Sequence, residues 1–448
     1  MTVSAEDILR RVMNLGCASG YCVAFSGGPD SHALLHALAS TRGELSGTLR
    51  AVHVNHRLQP QADSWAVHCD SVCRSLAIPL AVHTAARPGA GAGETWAREE
   101  RYALFAELLQ PGDMLLTAHH RDDQAETVML RLLRGSGVDG LAGIPPLRGL
   151  GAGQVGRPLL DLPRSALREY AITRGLESIG DPGNADLGAD RNFVRHRVLP
   201  LLAERWPGAD ATMARTAELL RQEQQVMADH AAPFLPRQLH GPLHWPALMS
   251  LGEGAQRIVL RQWLRRAGLP VPEARQLEAG RRMLLLAGAD RQPEFTWPGG
   301  RVRRYRELLH AEPLASGSAP LGSDAESAAG TSWSLENDLP LPGGWLRRSP
   351  GEGGLDTRCL PDGQVTVAFR QGGEWCRPAG RPRRPVKKLF QEAGVPPWQR
   401  GHWPLLMAGE EIAAVPGVCI CEGFQVAPPQ RGLHLLWEPL EGGPEERR

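Results

Sequence analysis

The first 210 residues alternate between short apolar runs and amphipathic stretches. The apolar runs, five or six residues long, are typical of strands buried in a parallel sheet, and they lie at 21–25, 49–54, 79–83 and 113–118. Between them, apolar residues recur every three or four positions. That spacing predicts helices starting at Asp30 and over 64–76, 94–109 and 122–133. Strands alternating with helices favour a doubly wound α/β domain with a parallel sheet.

The pattern changes twice beyond this region. From 209 to about 278 it is helical and rich in arginine, whereas residues 313–332 are small, polar and low in complexity, as in a linker. Strand signals return from about residue 355. The expected organisation is an α/β domain over 1–210, a mainly α-helical domain over 211–312, a linker over 313–354 and a small α+β domain over 355–448.

Composition restricts the chemistry of the N-terminal half. The 448-residue chain has 50 Lys and Arg residues against 49 Asp and Glu residues, which gives a formal net charge of +1. Lys387 and Lys388 are the only lysines, so the other 48 basic residues are arginines. The first 386 residues therefore contain neither a Schiff-base lysine nor the lysine of a G-x-x-x-x-G-K-[ST] phosphate loop.

Other features of the composition indicate the compartment. No stretch approaches the ~18–20 apolar residues that span a bilayer, and the N-terminus lacks the apolar core of a signal peptide. The eight cysteines show neither C-x-x-C pairs nor the spacing of zinc ligands. We therefore expect a reduced, cytoplasmic enzyme.

A glycine loop follows the first predicted strand, and it reads Ser26-Gly27-Gly28-Pro29-Asp30-Ser31. Glycines let a backbone approach phosphates closely, and the N-terminus of the next helix supplies unpaired N–H groups. The serine hydroxyls can donate hydrogen bonds, and Asp30 could cap the helix or help to hold Mg²⁺. An ordinary turn between strand and helix is the alternative, but the order of strand, loop and helix favours a phosphate site.

The fourth predicted strand leads into a polar cluster with the sequence LTAHHRDDQAET. Asp123 and Glu126 are three residues apart on the following helix and share one face. Two carboxylates on one face suit an ammonium ligand. A metal-hydrolase site built from His119, His120 and the neighbouring aspartates is the competing interpretation. The phosphate-type loop upstream fits poorly with that alternative.

Two arginine pairs are further candidates for contacts with anions. Arg98 and Arg101 are three apart on a predicted helix and could clamp a phosphate, although a solvated salt-bridge face is the common alternative. In Arg191-Asn192-Phe193-Val194-Arg195, either arginine could contact an anionic ligand. A structural arginine–carboxylate pair is the alternative there.

The C-terminal region contains a basic segment that the net charge conceals. Residues 368–404 carry eight basic and two acidic residues, a balance of +6. Together with Phe390 and Trp398, such a segment could follow RNA phosphates and stack on bases, whereas a solvated basic face is the alternative. The candidate phosphate or RNA contacts are Arg98, Arg101, Arg370, Lys387, Lys388 and Arg400.

These motifs together resemble a known family. S-G-G-x-D-S after the first strand resembles the pyrophosphate loop (PP-loop) of the N-type ATP pyrophosphatases. Within that superfamily, the E-x-x-A-R-x-x-R-Y helix, the L-T-A-H-H-x-D-D-Q-A-E-T segment and R-N-x-[LVI]-R are similar to the tRNA(Ile)-lysidine synthetases. The resemblance covers residues 20–207 and about 365–418. Gly183 departs from it, since the family's D-x-[ST]-N motif has a hydroxyl residue there.

The resemblance implies a fold, an activity and a set of site residues. The fold is a PP-loop α/β domain followed by the helical and α+β domains. The activity is an ATP-dependent ligation of L-lysine to the wobble cytidine of tRNA(Ile) with a CAU anticodon, which releases AMP and pyrophosphate and requires Mg²⁺. Asp123 and Glu126 would bind lysine. The ATP-binding residues would be Ser26, Gly27, Gly28, Pro29, Asp30 and Ser31, and the catalytic residues Asp30, His119, His120, Asp123, Glu126, Arg191 and Arg195.

Two other functions stay open at the level of sequence. A tRNA-thiolating enzyme of the same superfamily would generally use paired or catalytic cysteines, and Cys69 and Cys73 are more typical of packing residues. A non-catalytic RNA-binding protein with a degenerate nucleotide fold is the second alternative, and the intact glycine loop argues against it.

Overall fold

The computed structural model describes residues 3–57, 59–85, 94–180, 183, 186–288, 291–314, 330–341 and 343–439. The chain divides into two compact units, Met1–Met227 and Ala228–Arg448. Within the described residues, no helix combines the length and the apolar character needed to cross a membrane.

The first unit contains a six-stranded sheet with the strand order β3-β2-β1-β4-β6-β5. Neighbouring strands are parallel except β5, which runs antiparallel to β6. The four strands predicted from the apolar runs are confirmed. The six strands are β1 (Gly20–Ala24), β2 (Thr48–Asn55), β3 (Leu80–Thr84), β4 (Asp113–Leu116), β5 (Leu147–Leu150) and β6 (Gly153–Gly156).

Helices connect these strands and supply the apolar core. Leu34, Leu35 and Leu38 of α2 are fully buried, and they pack in one cluster with Tyr21 of β1 and Leu167 of α7. The helices of this unit, the last of which runs into the second unit, are α1 (Ala5–Met13), α2 (Pro29–Ser40), α3 (Ala62–Ser75), α4 (Glu94–Leu108), α5 (Arg121–Leu133), α6 (Val138–Leu141), α7 (Arg164–Thr173), α8 (Asp190–Phe193), α9 (Leu199–Arg205) and α10 (Ala209–Ala231).

The position of β1 in the sheet determines where a ligand can bind. Val23 of β1 pairs with Ala51 of β2 on one side and with Leu116 of β4 on the other. The chain order reverses between β1 and β4, and such a switch point creates a crevice at the carboxyl ends of the strands. The glycine loop follows β1 and the His-His-Asp-Asp segment follows β4, so both predicted motifs lie at this crevice.

The second unit begins with helices and an antiparallel sheet of order β7-β10-β9-β8. Trp263, Leu285 and Val302 join the helices to this sheet in one apolar core. The domain expected to be mainly helical therefore also contains four strands. Its elements are β7 (Leu243–His244), α11 (Trp245–Leu248), α12 (Glu253–Arg266), α13 (Ala274–Leu286), β8 (Glu294–Trp297), β9 (Gly300–Tyr305) and β10 (Leu308–Glu312).

The rest of this unit is built from small antiparallel sheets. Their orders are β11-β14-β17-β18-β19, β12-β13-β20 and β15-β16. A linker was expected over 313–354, but strands already start at Ser332, because alternating apolar residues such as Leu341 and Leu346 are buried in the core of these sheets. Residues 315–329 lie outside the described residues. The elements are β11 (Ser332–Trp333), β12 (Leu339–Leu341), β13 (Gly344–Leu355), β14 (Val365–Phe369), β15 (Trp375–Cys376), β16 (Arg384–Pro385), α14 (Val386–Glu392), β17 (Pro404–Ala408), β18 (Glu411–Val415), β19 (Cys419–Ile420) and β20 (Gln425–Pro439).

Candidate active site

The loop after β1 forms a hydrogen-bonded turn over the N-terminus of α2. Ser26 Oγ and Ser31 Oγ lie 3.0 Å apart, and Ser31 Oγ donates to the carbonyl oxygen of Gly28 at 3.0 Å. Gly28 is the N-cap of α2 and Pro29 begins the helix, a position where proline is favoured because its missing N–H would have no helical partner. The N–H groups of the first turn therefore point out of the helix end, where an anion is stabilised.

Gly27 is required by this turn, because its φ is +81°. A Cβ atom at Gly27 would lie 2.5 Å from Ile179 Cδ1 and 3.1 Å from Cys69 Sγ. Gly28 has a negative φ, and a Cβ atom there would meet only Ser26 Oγ, at 3.4 Å. The two glycines thus differ: the first is needed for the fold of the loop, while the second leaves space above the backbone.

His120 is the N-cap of α5 and lies between several carboxylates. Its Nε2 atom is 3.6 Å from Asp30 Oδ2 and 3.4 Å from Asp123 Oδ2, and its Nδ1 atom is 3.6 Å from Asp122 Oδ2. Burial alone would lower the pKa of His120, but the hydrogen bond to Asp30 and the charges of Asp123, Asp30 and Asp122 raise it above 6.5. The imidazole therefore connects the glycine loop with α5, and its Nδ1 atom accepts a hydrogen bond from the backbone N–H of Asp123 at 3.4 Å.

Asp123 and Glu126 lie together on α5, as their spacing predicts, and both are ion-paired with arginine. Arg191 donates from Nη2 to Asp123 Oδ1 and from Nε to Glu126 Oε2, each at 2.8 Å. Arg195 donates from Nε to Glu126 Oε1 at 2.5 Å and from Nη2 to Asp123 Oδ1 at 3.1 Å. The side chain of Glu126 is only 1% exposed. These four residues form a charge-balanced quartet.

The electrostatics of the quartet favour the ionised forms of Asp123 and Arg195. Burial raises the pKa of Asp123, but the charges of His120, His119 and Arg191 and a backbone hydrogen bond lower it to about 2. Burial lowers the pKa of Arg195, whereas the hydrogen bond to Glu126 and the two carboxylate charges raise it overall. Of the two alternatives for Arg191 and Arg195, the structure has the arginine–carboxylate pair.

The backbone that presents the arginines is irregular. Arg191 lies on the short helix α8, and Arg195 lies in the π-helical turn Val194–Val198 that connects α8 to α9. Isolated π-turns inside helices are frequent at functional sites. Asn192 Nδ2 holds the preceding segment by donating to the carbonyl oxygens of Gly183 and Asp186, both at 2.9 Å. The neighbours Asp181, Pro182 and Asn184 lie outside the described residues.

His119 has a different role from His120. Its Nδ1 atom is 2.8 Å from Thr117 Oγ1. Burial lowers the pKa of His119 to about 3; the charge of Asp123 raises this pKa, whereas the charges of Arg157, Arg191 and Arg98 lower it further. The ring is therefore neutral near pH 7. A neutral imidazole of such low basicity can orient a ligand by hydrogen bonding, but it is a weak proton acceptor.

Asp30 has one oxygen that the described residues leave unsatisfied. Asp30 Oδ2 faces His120 and, at 4.0 Å, Arg164 Nε, whereas the buried Asp30 Oδ1 accepts no hydrogen bond from the described residues. Mg²⁺ takes a carboxylate oxygen together with phosphate oxygens and water, so this atom fits the expected ion. Arg164, which sequence reasoning missed, begins α7. Its backbone N–H donates to Asp122 Oδ2 at 2.9 Å. No local motif distinguishes it from other helix-start arginines.

The structure separates Arg98 from Arg101. Arg98 is exposed and its guanidinium lies 5.2 Å from the ring centroid of Tyr102, whereas Arg101 Nε donates to His56 Nε2 at 3.2 Å. Burial and the charge of Arg101 lower the pKa of His56 to about 4, which leaves its ring neutral as an acceptor. Of the pair, Arg98 is the exposed arginine, and Arg101 is held by His56.

In the basic segment, most arginines are already paired. Arg370 lies 3.4 Å from Glu374, Arg377 pairs with Glu422, and Arg381 and Arg384 share Glu392. Arg383, Lys387 and Lys388 are exposed and form no ion pair with the described residues.

Two predicted RNA contacts in this segment are buried instead. Arg400 is 6% exposed, and its guanidinium donates to Val395 O and to Tyr305 Oη, so its position does not fit an RNA contact. Phe390 is fully buried and cannot stack on a base. Trp398 is half-buried, with the Arg303 guanidinium 4.1 Å from its ring centroid.

Comparison with known proteins identifies the family. A model of the PP-loop domain matches residues 1–202, a model of the TilS substrate binding domain matches 243–310, and one of the TilS substrate C-terminal domain matches 365–437. The tRNA(Ile)-lysidine synthase of Alkalilimnicola ehrlichii is 42% identical, over 99% of this chain and 98% of its own. Those of Coxiella burnetii and Methylococcus capsulatus are each 39% identical, over 97% and 94% of this chain and 96% and 97% of theirs. The chain belongs to the tRNA(Ile)-lysidine synthase family.

Proposed function

We propose that this protein ligates L-lysine to C2 of the wobble cytidine in tRNA(Ile) with a CAU anticodon, using ATP. The single observation that carries the proposal is the placement of the buried Asp123–Glu126 pair next to the glycine loop, with His120 between them. In this proposal, an amino-acid site and a phosphate site would therefore meet at one crevice. Membership of the family supports the same reaction.

The reaction divides into two displacements. In the first, the C2 carbonyl oxygen of cytidine attacks the α-phosphate of ATP, and pyrophosphate leaves with the electrons of the broken P–O bond. In the second, the uncharged ε-amine of lysine attacks C2, the C2–O bond breaks and AMP leaves, while the amine gives up a proton. The first step needs a bound polyphosphate, and the second needs a lysine held with its ε-amine free.

The glycine loop supplies the phosphate site in this scheme. Ser26 and Ser31 hydroxyls, together with the N–H groups of Gly27, Gly28 and the first turn of α2, would bind the polyphosphate without a lysine. Asp30 Oδ1 would hold Mg²⁺, which neutralises charge on the phosphates. Arg164, whose Nε atom lies 4.0 Å from Asp30 Oδ2, would add positive charge at this position, and the exposed Arg98 would contact phosphate.

The quartet suits the amino-acid end of lysine. An ammonium paired with a carboxylate stays protonated and is not a nucleophile, so Asp123 and Glu126 would hold the α-ammonium rather than the ε-amine. Arg191 and Arg195 would receive the α-carboxylate, since guanidinium groups bind carboxylates through two parallel hydrogen bonds. The α-ammonium and α-carboxylate of the bound lysine would thus replace part of the arginine–carboxylate ion pairs within the quartet, and the ε-amine would stay free. His119 would orient the base or its adenylated oxygen by hydrogen bonding.

The second unit would bind the body of the tRNA. Arg383, Lys387 and Lys388 are its candidate phosphate contacts, because they are exposed and form no ion pair with the described residues. Cys69 and Cys73 give no support to tRNA thiolation. Both are buried, and burial raises their pKa values to about 12 and about 11, so they are protonated thiols near pH 7.

The reconstituted reaction tests the proposal. Purified protein, tRNA(Ile) transcript with a CAU anticodon, radiolabelled lysine, ATP and Mg²⁺ should give labelled tRNA together with equal amounts of AMP and pyrophosphate. A transcript with uridine at the wobble position is the matched control and should stay unlabelled. Incorporation of sulfur instead of lysine would support thiolation, and absence of ATP turnover in the complete mixture would support a non-catalytic RNA-binding protein.

A further inference from the structure

Three cysteines of the second unit come together in space, although their spacing in the sequence did not predict a ligand group. They are Cys376 on β15, Cys419 on β19 and Cys421, and their Sγ atoms all lie within 4.8 Å of one another. Cys376 and Cys421 are buried, at 5% and 3% exposure, and Cys419 is half-buried. We propose that these three thiols form a binding site for a thiophilic divalent cation, with Zn²⁺ as the expected occupant.

The backbone fixes the position of each thiol. Cys419 and Cys421 are two residues apart along an extended segment, so their side chains point to the same face. Cys376 is brought to that face by a bridge between Pro378 and Cys421, with hydrogen bonds from Glu422 N to Arg377 O at 2.8 Å and from Ala379 N to Ile420 O at 3.0 Å. The convergence therefore results from strand geometry.

The spacing of the sulfurs suits tetrahedral coordination. A Zn–S bond of about 2.3 Å places neighbouring sulfurs about 3.8 Å apart, so binding needs only small adjustments of three side chains. Among the described residues, no histidine, carboxylate or fourth cysteine joins the group. The fourth position is then open to water or an external ligand, on the side of the half-buried Cys419. A disulfide, in contrast, would use two thiols and leave the third unexplained.

The surroundings supply a structural reason for a metal. Strands β15 and β16 have two residues each, and α14 has seven, so this part of the chain has few backbone hydrogen bonds of its own. Cys376 and Cys421 line the same small core as Val386, Leu389 and Phe390 of α14. Metal binding commonly stabilises modules whose apolar core is small. Here it would join the β15–β16 ribbon and α14 to the sheet that contains β18 and β19.

The cation would also hold residues that face solvent. The ribbon and α14 carry Arg383, Lys387 and Lys388. Loss of the cation should therefore loosen the basic segment, and this consequence rests on the proposed RNA-binding role. The metal site itself does not, so metal content and lysine ligation can fail separately.

Metal analysis of the full-length protein tests the site. Protein purified under reducing conditions and reconstituted with Zn²⁺ should retain about one ion per chain after gel filtration. Cys376→Ser and Cys421→Ser should each weaken retention roughly tenfold or more. Cys359→Ser, which changes an exposed cysteine of the same unit outside the group, is the matched control and should retain zinc like the unchanged protein.

A second measurement avoids dependence on the folding of the variants. Co²⁺ added to the unchanged metal-free chain should produce the thiolate-to-metal charge-transfer absorption of cysteine coordination, and Zn²⁺ should displace it. The proposal is overturned if that absorption is absent, or if the unchanged protein and Cys421→Ser retain equal zinc.

Discussion

His120 Nε2 lies 3.6 Å from Asp30 Oδ2, so the N-terminus of α5 is linked directly to the glycine loop after β1. The same atom is 3.4 Å from Asp123 Oδ2 of the quartet. One buried imidazole therefore connects the expected phosphate site with the expected lysine site, and its protonation state should influence both.

The first prediction concerns the pH dependence of stability. Because the folded pKa of His120 is raised above 6.5, its protonation contributes stability that is complete below pH 6.5 and is lost as the pH rises through the folded pKa. His120→Gln should therefore flatten the fall of the melting temperature as the pH rises above 6.5. His36→Gln is the control, since the pKa of His36 is lowered by burial and by Arg174. Equal slopes for the unchanged protein and His120→Gln would contradict the assignment.

The second prediction separates the two chemical steps. Asp123→Asn removes one charge from the quartet, so lysine transfer should fall by about 2–3 kcal/mol, or roughly 100-fold. Adenylation of the tRNA, followed as pyrophosphate release without lysine, should fall much less. Asp190→Asn is the control, because Asp190 is exposed and pairs only with the exposed Arg134 among the described residues. An equal loss of rate in both steps would contradict a specific role of Asp123 in lysine binding.

Local sequence patterns predicted β1 to β4 and α2 to α5 of the first unit, because helices and strands have short periods. They placed Asp123 and Glu126 on one face for the same reason. They did not predict that Arg191 and Arg195 neutralise these carboxylates, since the partners are 65 to 72 residues apart and meet only through the tertiary fold. The Cys376 group was missed for the same reason.

Charge alone was a poor guide to exposure in the second unit. Arg400 contributes to the +6 balance of the basic segment, yet Val395 O and Tyr305 Oη accept its hydrogen bonds inside the protein. Buried carbonyl and hydroxyl oxygens can satisfy a guanidinium as water would, and no local pattern reveals such partners.

The third prediction follows for the exposed lysines. Lys387→Glu with Lys388→Glu should weaken tRNA binding and reduce the magnitude of the slope of log K against log salt by about one for each lost phosphate contact. Arg358→Glu is the control, because Arg358 is exposed in the same unit and is paired with Asp356. An unchanged slope in the lysine variant would place the RNA contacts elsewhere.

The fourth prediction concerns Arg400. Arg400→Met should lower the free energy of unfolding by roughly 2–3 kcal/mol, because it leaves Val395 O and Tyr305 Oη without their donor. If the variant still folds, the slope of log K against log salt for tRNA binding should stay unchanged. A smaller salt slope at unchanged stability would show instead that Arg400 contacts the RNA.

The fifth prediction compares the two glycines of the loop after β1. Gly27→Ala should lower the free energy of unfolding by about 1–3 kcal/mol, since alanine is strained at a φ of +81° and its Cβ atom would lie 2.5 Å from Ile179 Cδ1. Gly28→Ala should leave stability nearly unchanged, because its φ is −74° and the new methyl group meets only Ser26 Oγ at 3.4 Å. Chemical denaturation measures both. ATP affinity then distinguishes the functions of the two glycines. If the backbone at Gly28 approaches phosphate closely, Gly28→Ala should weaken ATP binding without loss of stability. An unchanged affinity would place the polyphosphate away from Gly28.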